Sequence, residues 1–253
     1  MNTLKLAWRM LLRDARAGEM LLLAAALTVA VASMTSVGFF TGRARLALSL
    51  QASQLLGADL IVAADHELPP AYLAEAQRRG LRSAHSAKFP SMVLHDGASL
   101  LAEVKAASTE YPLRGELRVA ERLSGQDRVA AAIPQRGTLW ADERLLRRLN
   151  LDIGQRLRVG QMQFTVAAVL TQEPDSSTGF INLGPRVLLN ADDLPATGLV
   201  QPGSRIAYRL LLAGDAQAVA QYRAWAQARL ARGERIEGVR DARPEIRGAL
   251  ERT

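Results

Sequence analysis

The sequence predicts an α+β protein: one long apolar helix, serving as transmembrane span and stalk, followed by a mixed α/β domain for which two subdomains are expected. Three observations predict it. Residues 20–42 contain no charged side chain. After Gly57, short β-rich runs alternate with short amphipathic helices. Near the end of the chain a strand, a helix and a strand follow one another, which suits α+β better than an all-β arrangement.

The charge-free run MLLLAAALTVAVASMTSVGFFTG, from Met20 to Gly42, is 23 residues long, and about 20 suffice to cross ~30 Å of hydrocarbon. Its hydroxyls, on Thr28, Ser33, Thr35 and Ser36, can bond back to the preceding turn or across to a neighbouring helix. The competing reading is a cleaved signal peptide, because Ala30-Val31-Ala32 matches A-x-A with Ser33 after it. The apolar run continues past that point to Phe39 and Phe40, and the preceding 19 residues include Asp14 and Glu19, so an uncleaved anchor is the expectation. Ahead of the span, Leu4, Leu6, Trp8, Leu11 and Leu12 mix with Lys5, Arg9, Arg13 and Arg16, as in an amphipathic helix lying in a membrane interface. Residues 1–19 are therefore expected on the cytoplasmic side under the positive-inside rule, and everything after Gly42 on the outer side.

No strong breaker other than Gly42 intervenes before Gly57, so the helix is expected to run on as a stalk over residues 20–56. At 1.5 Å per residue that is roughly 55 Å, about 25 Å more than the hydrocarbon layer needs. Gly57 suits a left-handed cap. Gly38 and Gly42 form a G-x-x-x-G pair, the candidate positions for close packing of a second helix.

Residues 57–243 form the expected outward domain. Asp59 to Ala63 reads as a buried strand, and PPAYLAEAQRRG as a helix with proline at its start and Gly80 at its end. Ser91–Leu94 and Ser99–Ala106 flank His95-Asp96-Gly97, a hairpin signal. Tyr111 to Gly115 makes a proline turn. LWADERLLRRLN reads as a helix with Leu139, Leu145, Leu146 and Leu149 buried and Arg144, Arg147 and Arg148 solvated. RLRVGQMQFTVAAVL reads as a second hairpin turning at Gly160-Gln161. Residues 173–202 read as loops around one short helix. Ser204–Leu212 is a strand, Asp215–Arg232 a helix capped by Asp215, and Arg235–Val239 a strand. Residues 244–253 begin like a second stalk helix that has no stop signal.

The 253 residues include no cysteine, which excludes thiolate chemistry and disulfides. The charge of +7 comes from 32 basic and 25 acidic residues spread along the chain. With 5% aromatics there are few stacking platforms, so no nucleic-acid partner is expected. No Gly-Lys dipeptide occurs, hence no G-x-x-x-x-G-K-[ST] phosphate loop. His66-Glu67-Leu68-Pro69-Pro70 starts like a zinc H-E-x-x-H motif, but prolines stand where the helix and the second ligand are needed. Gly97-Ala98-Ser99 starts like G-x-S-x-G without the second glycine. His85 and His95 read as surface or hydrogen-bonded structural residues, and Asp175, Asp192 and Asp193 as turn or cap residues. No catalytic, cofactor or metal site is expected, and no enzymatic activity.

Taken together, LLGADLIV, YPLRGEL, GTLWADERLL, LDIGQRLRVGQMQFTVAAVL, EPD with Gly179-Phe180, and GSRIAYRLLLAG resemble the FtsX-like permease family of ABC transporters with a MacB-like periplasmic core domain. VRDARPEIRGAL is similar to the approach to a second membrane helix in the permease subgroup linked by name to lysophospholipase biosynthesis. The resemblance implies a bacterial inner-membrane permease working as a homodimer or pseudo-dimer with a separate cytoplasmic ATPase that binds the ATP. It also implies a periplasmic protein or lipid as substrate, moved by export or by mechanotransmission. The chain departs from that pattern in having a single membrane helix. The residues alone leave two other readings open, a membrane-anchored periplasmic binding or sensor domain and an anchored or secreted hydrolase, and the lack of a nucleophile or metal cluster favours the binding domain of these two.

A reporter fused after Gly57 is expected to be active only if it is of the periplasmic kind, and the mature chain is expected to retain Met20. N-terminal sequencing that finds Ser33 first would refute the anchor.

Overall fold

The computed structural model describes residues 19–175, 184–201 and 203–238. The expected second stalk over 244–253 lies outside them, as does the expected interfacial helix over residues 1–19 apart from Glu19. The chain divides into two compact units after Leu50.

Helix α1 runs over Glu19–Leu56. Alanine and leucine dominate it and it holds no proline, which favours a long uninterrupted helix. Thr28 and Thr35 donate their hydroxyls to the carbonyls of Ala24 and Val31, at 2.7 and 2.6 Å, and Thr41 does the same to Val37. Each hydroxyl is thereby satisfied within the helix. Leu22, Leu23, Leu27, Val29, Met34, Val37, Phe39 and Phe40 are all exposed. A helix on the surface of a soluble domain would bury one apolar stripe; this one exposes apolar side chains on every side. The segment Leu22–Arg43 is long and apolar enough to cross a membrane.

In the second unit, α1 stops where Gly57 takes φ +76°, which a glycine adopts without strain. Strands β1 (Leu60–Ala64), β2 (Arg82–His95), β3 (Ala98–Ala107), β4 (Arg118–Ala120), β5 (Asp127–Val129), β6 (Thr138–Asp142), β7 (Arg156–Val159), β8 (Met162–Gln172), β9 (Arg186–Asn190), β10 (Ala207–Ala213) and β11 (Arg235–Gly238) form one sheet. Helices α2 (Pro70–Arg78), α3 (Glu143–Leu149) and α4 (Ala216–Gln227) pack on it. The strand order is β11-β1-β10-β2-β3-β9-β6-β8-β4-β5, and β7 pairs with both β2 and β8. Strands β2, β3, β9, β6, β8 and β7 therefore close into a ring. Its pairings are antiparallel apart from β3 with β9 and β6 with β8.

The sheet has a closed part and an open part, and the 14-residue β2 belongs to both. In the ring, Phe89, Val104, Leu139, Leu157, Phe164 and Val187 fill the interior, plugged by Leu145, Leu146 and Leu149 of α3. In the open part, Leu60, Val62, Leu210 and Leu212 meet Tyr72 and Ala76 of α2 and Tyr222 and Ala226 of α4. A third cluster covers the opposite face, with Leu56 from the end of α1 against Ile61, Leu211, Tyr111 and Leu113.

Both hairpins form at the expected residues. Asp96 and Gly97 have φ of 46° and 81°, the pair of positive values that a two-residue I′ turn requires. Elsewhere the sequence reading needs correction. The helix expected from Leu139 begins at Glu143, because Thr138–Asp142 is a strand held between β8 and β9 and the Asp142 carboxylate caps α3 by accepting the Leu145 N–H at 2.9 Å. Leu139 is buried as expected, but from a strand. Residues 186–190, read as loop, form β9, whose tertiary neighbours β3 and β6 override the surrounding loop composition. Helix α4 ends at Gln227, short of Arg232.

Phe164 is fully buried in the ring, so Phe164→Ala is expected to cost about 3–5 kcal/mol. Urea unfolding followed by tryptophan fluorescence measures this directly, and a loss below 1 kcal/mol would contradict the filled ring.

Candidate functional site: a buried ion cluster at the last turn of the long helix

Two strands place a cation each on the face of the sheet opposite α2. Lys105 lies on β3, opposite Lys88 of β2 and Leu188 of β9. Arg209 lies on β10 between Ala63 of β1 and Ser86 of β2. The turn after β8 supplies Glu173 and Asp175, and all four side chains are buried. The Lys105 ammonium donates to Asp175 Oδ1 at 2.6 Å and to the Tyr111 hydroxyl at 2.7 Å, lies 2.8 Å from Glu173 Oε1, and stands 3.9 Å from the centre of the Tyr111 ring. Tyr111 donates its hydroxyl proton to Asp175 Oδ1 at 2.8 Å. Arg209 donates Nη1 to Asp175 Oδ2 at 3.1 Å and Nη2 to Glu237 of β11.

Two buried cations thus face two buried carboxylates, and both Asp175 oxygens are engaged. Burial by itself would raise the Asp175 pKa; the Lys105 and Arg209 charges outweigh it and hold the carboxyl below its ordinary value. Burial, reinforced by the Asp175 charge, pushes the Tyr111 phenol well above its usual range. Tyr111 therefore stays a hydrogen-bond donor at any physiological pH.

The backbone of the same turn grips the end of α1. The last carbonyls of a helix have no partner within it. Here the Asp175 N–H donates to the Leu55 carbonyl at 2.7 Å, and the N–H groups of Leu113 and Arg114 donate to the Gly57 carbonyl at 3.1 and 3.0 Å. Ala52, Ser53 and Leu56 bury one side of the last turns. Arg114 forms a two-pronged pair with Asp59 at 3.0 and 2.8 Å. Gly115, at φ +74°, leaves no room for a side chain, because a Cβ there would collide with the Gln54 carbonyl. Asp175 itself has φ 35°, a conformation costly for a non-glycine residue and sustained only by firm surroundings.

Entry and exit of the chain also converge here. Strands β1 and β11 are antiparallel neighbours, with Leu60 opposite Gly238 and Ile61 opposite Glu237. Arg209 consequently joins the turn that holds the end of α1, through Asp175, to β11, through Glu237.

The residues singled out in the sequence fall elsewhere, with one exception. Asp175, expected as a turn or cap residue, does sit in a turn, but its carboxylate is the centre of the buried cluster. His66 lies in a loop, its Nδ1 2.8 Å from Asp65 Oδ1 and its Nε2 3.4 Å from Glu234. His95 Nδ1 is 2.9 Å from the Arg156 carbonyl. Asp193 accepts the Gly137 N–H at 2.7 Å, and the Asp192 N–H donates to Asn190 Oδ1 at 3.0 Å. Ser99 is exposed on β3. Gly38 and Gly42 lie on α1, and a Cβ at either would meet nothing within 4 Å. Among the described residues no group of three or more His, Asp or Glu side chains could hold a metal ion. Lys105, Tyr111, Glu173 and Arg209 were not singled out by the sequence. Their signal was the placing of Lys105 and Arg209 at positions of an alternating strand whose neighbours, Ala107 and Leu211, are buried.

The MacB-like periplasmic core domain family matches residues 20–243. The chain belongs to that family. It is 31% identical over 241 residues to YbbP of Escherichia coli (strain K12), described as an uncharacterized ABC transporter permease; the match covers 95% of this chain and 29% of that protein. The chain therefore spans less than a third of that relative. Among solved structures, the periplasmic region of MacB from Actinobacillus actinomycetemcomitans matches with a TM-score of 0.47 at 12% identity, over 79% of this chain and 96% of that one. The extracellular domain of the noncanonic ABC-type transporter YknZ from Gram-positive bacteria matches with a TM-score of 0.45 at 10% identity, over 70% and 99%.

Removing one member of a buried ion pair strands the others, so Asp175→Asn in this MacB-like domain is expected to cost about 3–5 kcal/mol, or roughly 10 °C in Tm. The pH dependence has a definite sign. The folded pKa of Asp175 lies below the unfolded value near 3.8, so its contribution is complete above that value and lost as pH falls through the folded pKa. Thermal unfolding from pH 7 to pH 2 should show a falling acid limb in the wild type and a flatter one in Asp175→Asn; parallel curves would contradict the assignment.

Proposed function

We propose that this chain is part of a permease subunit of an ABC transporter, and that α1 carries ATPase-driven motion from the membrane into the outer domain. In this reading α1 spans the bacterial inner membrane with its N-terminus in the cytoplasm, and the domain is periplasmic. A separate cytoplasmic subunit binds and hydrolyses ATP. The permease works as a homodimer or pseudo-dimer, with Gly38 and Gly42 on the packing face of α1, and the motion serves export or mechanical work on a periplasmic protein or lipid.

One observation carries the reading: a single buried cluster, through Asp175 and Arg209, holds both the last turn of α1 and the strand by which the chain leaves the domain. Force applied along α1 meets fixed hydrogen bonds to a sheet, whereas a mere tether needs only a flexible linker. A second reading, a membrane-anchored periplasmic binding domain, is favoured by the cleft described below.

A cysteine pair at Leu48 and Ile246, introduced into the full-length protein with any cysteines beyond these 253 residues replaced by serine and assembled with its ATPase, is expected to crosslink to an extent that depends on the nucleotide present. Arg209→Met is expected to abolish that dependence while ATP hydrolysis continues. Crosslinking unaffected by nucleotide, or a parent protein ending near Thr253, would favour the anchored binding domain.

A further inference from the structure

On the face of β2 and β10 turned away from the ion cluster lies a cleft of about 980 Å³, within the range of sites for small organic ligands. Helix α2 and the loop before it bound one part, through Leu68, Tyr72 and Leu73; residues 191–200 bound another, through Leu194 and Val200. Tyr208 also lines the cleft. Leu73 and Val200 are 41% and 39% exposed, large apolar side chains that the fold itself leaves uncovered.

The lining carries two carboxylates, Glu67 and Glu110, beside one histidine, His85. Glu67 lies near the Tyr208 phenol, and Glu110 near His85. Its own backbone N–H and the Thr109 hydroxyl, 2.9 Å away, hold the Glu110 carboxyl below its usual value, so it is ionised at neutral pH. The lining contains no lysine, and its one arginine, Arg209, turns its guanidinium to the opposite face toward Asp175 and Glu237.

The geometry points to a binding site for an amphiphilic amine, whose apolar body occupies the cleft between α2 and residues 191–200 and whose ammonium meets the rim carboxylates of Glu67 and Glu110. An anionic amphiphile of the same size would bring like charge to that rim and bind less well. The site does not rest on the transport reading, since binding needs no motion of α1.

The test uses the full chain in lipid nanodiscs, with empty nanodiscs subtracted, and two probes that share a fluorophore: dansylcadaverine, which is cationic, and dansyl-aminohexanoate, which is anionic. Fluorescence titration is expected to show the cationic probe binding about tenfold more tightly, as two exposed ion pairs allow, with the difference shrinking in high salt. The double variant Glu67→Gln, Glu110→Gln changes only exposed side chains and should bring the probes within about twofold of each other at an unchanged Tm. Leu73→Ser should weaken both. Equal affinities in the wild type, a preference for the anion, a preference that survives the double variant, or no protein-dependent binding of either probe would overturn the site.

Discussion

The domain depends on one carboxylate that has been taken out of water and balanced. Isolated, the Asp175 charge would be expelled from the interior or neutralised; here it stays ionised because β3 and β10 each present a cation to it and Tyr111 adds a hydrogen bond. Such a cluster contributes less to net stability than its short distances suggest, because desolvation of every member opposes the attraction. Loss of any one member leaves a buried charge without its partner, which is far more costly than the intact set is stabilising.

From that point the architecture can be followed outward. Asp175 is held by its side chain to the sheet and by its backbone to α1, so the left-handed turn that contains it is fastened at both ends. Pro174 fits against Gly57, 3.3 Å from where a Cβ would stand, and the glycines at 57 and 115 let the helix end and the turn approach so closely. Strand β10 has a different environment on each face: Arg209 belongs to the charged cluster, while its neighbours Tyr208 and Leu210 line the cleft. The strand that anchors the helix end thus also forms part of the cleft floor.

Much of this was legible in the sequence. The apolar run of α1, the Gly57 stop, the Asp96-Gly97 turn and the Asp215 cap rest on local chemistry, and local chemistry decided them. What was missed depends on distant partners. Strand β9 is short and lies in loop-like composition, and only β3 and β6 make it a strand. The ring closes through β7, four residues that reach both β2 and β8, a juxtaposition that no window of sequence contains. The cluster was missed for the same reason: Asp175 is separated by 70 residues from Lys105 and by 34 from Arg209, and an isolated aspartate beside a proline reads as a turn.

The pairing of Leu60 with Gly238 has a consequence for how such a protein can change. Opposed residues in antiparallel strands lie about 5 Å apart, so nearly 180 residues begin and end at almost one point in space. Seen from the start of β1 and the end of β11, the whole domain occupies the place of a short loop. A module of that kind can be enlarged, trimmed or exchanged for another of similar footing while the helix that carries it keeps its course, as insertions between closely spaced ends generally permit. The outer surface is then free to diversify, and the Asp175 footing is the part that has to stay constant.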